Sequence, residues 1–157
     1  MSDVSKVKFT SYDKSIAKAM DLIGARERLP QSGLIIIKPN LTNADKPPVT
    51  THVGATEVVY EYCRKHSRAE IAIGEGCGSG VTRDTFEANG YVDLARRHGI
   101  RLIDFNEEPA EISCRPNALV WKELHLPIVA RDAFVISVPV LKDHSFTTTT
   151  VAMKNLF

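Results

Sequence analysis

Hydrophobic positions along the chain fall into two kinds of pattern. Short runs apolar at nearly every position (Leu34–Ile37, Glu70–Ile73, Ile100–Phe105 and Ala133–Val138) alternate with stretches where apolar residues recur every three or four positions. The first kind predicts strands buried on both faces, as a parallel sheet requires. The second predicts helices over Asp13–Leu29, with Asp13 as N-cap and Pro30 as the stop, and over Gly54–His66. A third helix begins at Thr82 or Asp84 and ends at Gly90, and a fourth runs from Tyr91 to His98, closed by Gly99. Val7–Thr10 reads as a short edge strand, and Val151–Asn155 as the start of a last helix after the threonine run Thr147–Thr150. Residues 107–130 break the alternation: Val120-Trp121 and Leu124–Val129, interrupted by prolines, predict a small antiparallel hairpin in which Trp121 anchors a core.

Strands alternating with helices imply an α/β fold: a mainly parallel sheet with helices on both faces and a small antiparallel insertion. The 157 residues, 43% of them apolar, suffice for one self-supporting domain over 1–157. The apolar end Leu156-Phe157 carries no stop signal. It leaves open a domain continued by further sequence, and a second copy or partner chain docking there.

Charge narrows the function. Twenty Lys+Arg against 19 Asp+Glu give a net +1, without the basic field of a nucleic-acid binder. No apolar run reaches membrane-spanning length and no signal region opens the chain, so a cytoplasmic protein with no membrane partner is expected. Cys63, Cys77 and Cys114 show neither zinc nor iron–sulfur spacing, and no residue set reads as a metal site, so any cofactor is left unassigned.

Ligands of parallel sheets bind beyond the carboxyl ends of the strands. Here those ends lead into Lys38-Pro39-Asn40, Gly74-Glu75-Gly76, Asp104-Phe105-Asn106 and Lys142-Asp143-His144. Lysines, carboxylates, an amide and a histidine thus converge on one edge. Lys38, Asn40, Lys142, Lys154 and Asn155 are candidates to hold a small anion, and Thr56 flanks a helix start that favours one. In the loop Gly74–Gly80, glycine at every second position (Gly74, Gly76, Gly78, Gly80) allows close backbone approach, although no nucleotide signature is present. Glu75 and His144 are the candidates for proton exchange. A small phosphate or carboxylate metabolite is the expected partner.

The ordered set Lys38-Pro39-Asn40, Gly54-Ala55-Thr56, Gly74-Glu75-Gly76, Gly90-Tyr91, Ser137-x-Pro139-x-Leu141-Lys142-x-His144 and Lys154-Asn155 resembles domain-of-unknown-function family 362, from about residue 33 to 157. The resemblance implies a cytoplasmic α/β protein without an established activity. It supports Lys38, Asn40, Glu75, Lys142, His144, Lys154 and Asn155 as one shared site. Members of that family are often labelled iron–sulfur cluster-binding, which implies an alternative: a non-catalytic redox or scaffold module whose cluster lies on further sequence or a partner. The three cysteines of this chain do not form a cluster signature.

Overall fold

The computed structural model describes residues 3–144 and 148–156, with only the backbone of His144. Helices α1 (Tyr12–Leu22) and α2 (Ala25–Arg28) precede strand β1 (Leu34–Pro39). Helix α3 (Val53–His66), β2 (Glu70–Glu75), α4 (Thr82–Ala88), α5 (Tyr91–His98) and β3 (Arg101–Asp104) follow. The chain then forms β4 (Ala110–Cys114), β5 (Glu123–Pro127), α6 (Ile128–Arg131) and β6 (Phe134–Val138). It closes with β7 (Lys142–His144), β8 (Thr148–Thr150) and a 3₁₀ turn at Lys154–Leu156.

Four strands make one parallel sheet in the order β3-β2-β1-β6. The apolar runs are apolar throughout because each face of this sheet is covered. Ile35, Ile37, Ile71 and Ile73 point into the larger core with α1, α3, α4 and α5, where Val59, Phe86, Tyr91 and Leu94 are buried. The alternate residues Ile36, Ala72 and Ile103 face the smaller core, covered by Phe105 and by Val129 and Ala130 of α6. The chain is α/β, with helices on both faces and two small antiparallel sheets, β4-β5 and β7-β8.

Several expectations are corrected. The long first helix divides, because Gly24 adopts a left-handed conformation (φ 62°) that ends α1 and starts α2. Its N-cap is Ser11, one residue before the helix and two before Asp13. Helix α4 is capped by Val81 rather than Thr82 or Asp84. Residues 7–10 form no strand. The hairpin of the insertion pairs Ala110–Cys114 with Glu123–Pro127, so Val120 and Trp121 sit in its connection, and Trp121 is 62% exposed instead of buried in a core. A second hairpin was not foreseen: Lys142 pairs with Thr150 in an antiparallel ladder, and a 3₁₀ turn stands where an α-helix was expected. Thr147 and Phe157, part of the threonine run and the apolar end, lie outside the described residues.

Candidate functional site

The strand order contains a switch point. From β1 the chain steps outward to β2 and β3, then returns to add β6 on the other side of β1. Connections leaving β1 and β6 therefore diverge, opening a crevice at their carboxyl ends. Two side chains span it. Thr51 Oγ1 accepts from Asn40 N (2.8 Å) and donates to Val138 O (2.8 Å), while Thr51 N donates to Asn40 O (2.9 Å). Asn155 Nδ2 donates to Lys38 O (3.1 Å) and Ser137 Oγ (3.0 Å).

Beside this junction lies a buried ion pair between Lys38 Nζ and Glu75 Oε1, their side chains 10% and 3% exposed. Glu75 Oε1 also accepts from Gly76 N (2.9 Å), and Oε2 from Leu41 N (2.8 Å). Both oxygens of Glu75 are thus engaged within the protein. Lys142 Nζ reaches the loop after β1, donating to Val49 O (2.7 Å) and Thr42 Oγ1 (3.1 Å). Partial burial, aided by the like charge of Lys154 and opposed by Glu75, holds its ammonium below the usual lysine range. Among the described residues, no carboxylate lies within ion-pair distance of Lys142 or Lys154. The side-chain oxygens Asn40 Oδ1, Asn155 Oδ1 and Thr150 Oγ1 are buried with no hydrogen-bond partner among the described residues.

Not every candidate stands at this edge. Thr56 is fully buried behind it, bonded to the Tyr91 hydroxyl (2.9 Å), which donates to Thr51 O (3.1 Å). Thr56 and Tyr91 therefore brace Thr51 from within the core. Gly74 is also buried: a Cβ there would meet the Phe105 ring at 2.4 Å and Ile36 Cγ2 at 2.9 Å. Its small size serves sheet packing rather than ligand approach. Gly74→Ala is expected to cost about 1–2 kcal/mol through overpacking, measured as a lower urea midpoint with unchanged slope. Gly78 is exposed, and the His144 side chain lies outside the described atoms.

Gly76, Lys38 and Asn106 line a cleft of about 400 Å³ on the smaller-core side of the strand ends, with Trp121 and His125 from the hairpin. Asn106 is fixed there by Nδ2 bonds to Cys77 O (3.0 Å) and Thr82 Oγ1 (3.3 Å). Thr51, Asn106 and Trp121 are not among the candidate ligand-binding or proton-exchange residues that the sequence points to. Thr51 sits in a polar loop whose composition gives no sign of which threonine turns inward. Asn106, by contrast, directly follows a strand end, and that position was a usable signal.

The cysteines do not fit an iron–sulfur cluster, which takes four protein ligands, mostly thiolates. Cys63 is fully buried in α3, and burial pushes its thiol up to about 11. Cys77 follows β2 and contacts Thr82 Oγ1 (3.6 Å), whereas Cys114 is exposed on β4. Glu57, Glu61 and His98 lie close together on α3 and α5, where Glu57 is paired to Arg97 and His98. No helix among the described residues is long and apolar enough to cross a membrane.

No curated protein and no solved structure matches the chain. One family model does, described as Domain of unknown function (DUF362), and it covers residues 35–157. That span takes in the whole parallel sheet except Leu34, both bridging residues Thr51 and Asn155, and every lysine of the crevice, so the chain belongs to the DUF362 family.

Proposed function

We propose that the crevice between the ends of β1 and β6 binds a small anion bearing a phosphate or carboxylate group. The observation that carries this reading is the pair Lys142 and Lys154, two cations at a topological switch point that form no ion pair among the described residues. Their mutual repulsion and the partial burial of Lys142 both oppose positive charge, and a bound anion relieves both. Buried amide oxygens on Asn40 and Asn155 supply acceptors for hydrogen-bond donors on the same ligand.

Within this reading the roles differ from one residue to the next. Lys142 and Lys154 hold the anion. Glu75, with both oxygens engaged, anchors Lys38 and the turns at Leu41 and Gly76. Thr51 and Asn155 keep the two strand ends at a fixed separation. His144, two residues beyond Lys142 in β7, is the candidate for proton exchange with the ligand, which would make the protein an enzyme.

Sulfate is a suitable probe because its charge is constant through the neutral and alkaline range. Isothermal titration at pH 7 should detect binding that weakens about tenfold in Lys154→Ala, the loss of one charge-assisted contact. Lys154 makes no side-chain hydrogen bond among the described residues, so this variant is expected to leave the fold intact. Lys142→Ala should weaken binding at least as much. An absence of sulfate binding, or wild-type affinity in both variants, overturns the proposal.

The pH dependence has a definite sign. Lys142 loses its proton at a lower pH than an ordinary lysine near 10.5, so sulfate affinity should fall as pH rises through that depressed value. Without ligand, the folded chain sheds this proton more readily than the unfolded chain. From this group alone, stability therefore rises with pH across the same window. Opposite trends for affinity and stability in one pH series are the expected result.

A further inference from the structure

The cleft beside the lysine crevice has an apolar wall that a bare anion does not use. Trp121, 62% exposed, stands on the β4–β5 connection and lines this cleft together with Phe105 and Leu156. Lys38 and Gly76 line the same cleft from the strand ends. Two features tie it to the cationic edge, an ion pair and a chain connection. Lys38 belongs to the ion pair below the crevice, and Leu156 lies two residues beyond Lys154 in the same 3₁₀ turn.

The wall is in phase with the smaller-core face of the sheet. Lys38 follows Ile36 by two residues, Gly76 follows Gly74, and Phe105 follows Ile103. The cleft is therefore the open continuation of the smaller core past the strand ends, roofed by the hairpin instead of by α6. Its volume of about 400 Å³ is that of a small-molecule site and far exceeds what one phosphate or carboxylate needs. The carboxylate of Glu123 on its hairpin side makes an anion's charged end unfavourable there and leaves the lysine side as the place for it.

We infer that the ligand of this site is an anion carrying a flat ring, with its charged group at Lys142 and Lys154 and its ring against Trp121. This rests on the anion-binding reading above and adds the class of ligand. A free aryl phosphate or carboxylate and a nucleotide share this chemistry, and the probes below separate them.

Trp121 is the single tryptophan of the chain, so its emission reports directly on the cleft. Inorganic phosphate, butyl phosphate, phenyl phosphate and adenosine monophosphate would be titrated by calorimetry, and the last three also by tryptophan fluorescence. Phenyl phosphate should bind about tenfold more tightly than inorganic phosphate and more tightly than butyl phosphate, as expected for ring stacking. It should also change Trp121 emission. Trp121→Ala should bring phenyl phosphate down to the affinity of inorganic phosphate and leave the latter unchanged, whereas Trp121→Phe should keep most of the gain. Adenosine monophosphate binding above phenyl phosphate marks a nucleotide; the reverse order marks a simple aryl anion. Equal affinity for inorganic and phenyl phosphate, or a Trp121→Ala variant that weakens both alike, overturns the ring assignment and leaves anion binding standing. Failure of all four to bind overturns both.

Discussion

Replacing Glu75 by alanine is expected to destabilise the protein by about 3–5 kcal/mol, the usual result of removing one partner of a buried ion pair. Three donors lose their acceptor together: the Lys38 ammonium, Leu41 N and Gly76 N. With the Lys38 side chain only 10% exposed, water does little to replace the carboxylate. Lys38→Met should cost less, because the carboxylate left behind keeps two backbone N–H donors. The double variant Lys38→Met/Glu75→Gln should be more stable than Glu75→Ala, since no unpaired charge remains. Urea unfolding followed by circular dichroism measures all three. A loss below about 1 kcal/mol in Glu75→Ala would show that the pair is solvated in solution.

The second large effect is expected at Thr51. Thr51→Val conserves shape but removes the hydroxyl that joins Asn40 N to Val138 O. A buried N–H and a half-buried carbonyl are left without partners, at a cost of about 2–3 kcal/mol. Thr51→Ser keeps the hydroxyl and loses one methyl, about 0.8 kcal/mol. Stability alone would make Thr51 an ordinary buried threonine. The distinguishing expectation is that Thr51→Val also weakens sulfate binding, because the crevice lies between the two strand ends that Thr51 ties together. Thr51→Ser should bind sulfate with unchanged affinity. If Thr51→Val loses stability but keeps full sulfate affinity, the strand-end separation does not shape the site.

Both expectations concern residues whose significance differs in sequence and in space. Glu75 stands between two glycines at the end of an apolar run, so its place at the sheet edge was readable. What it does there was not, because its three donors come from residues 38, 41 and 76, and only the folded chain brings the first two to it. Thr51 was hidden in a loop of threonines, prolines and lysines. Thr56 was legible as a residue at a helix start, yet the structure turns it into the core against Tyr91. Hydrophobicity alone makes Trp121 a core anchor. Its exposure follows from the hairpin register, in which Cys114 pairs with Glu123 and Trp121 falls in the connection.

The pattern of residues along the chain is enough to give the parallel sheet and the helices that cover it. Those features depend on local periodicity: a strand buried on both faces must be apolar at every position, and residues just past it must emerge at one edge. Which strands are neighbours, and so that the switch point falls between β1 and β6, is set by folding. The folded chain also pairs Lys38 with Glu75, while Lys142 and Lys154 form no ion pair with a carboxylate among the described residues. Partnership between charges depends on distances set by strand order and loop path. Residues 38 and 75, or 142 and 154, carry no mark in the sequence of how close folding will place them.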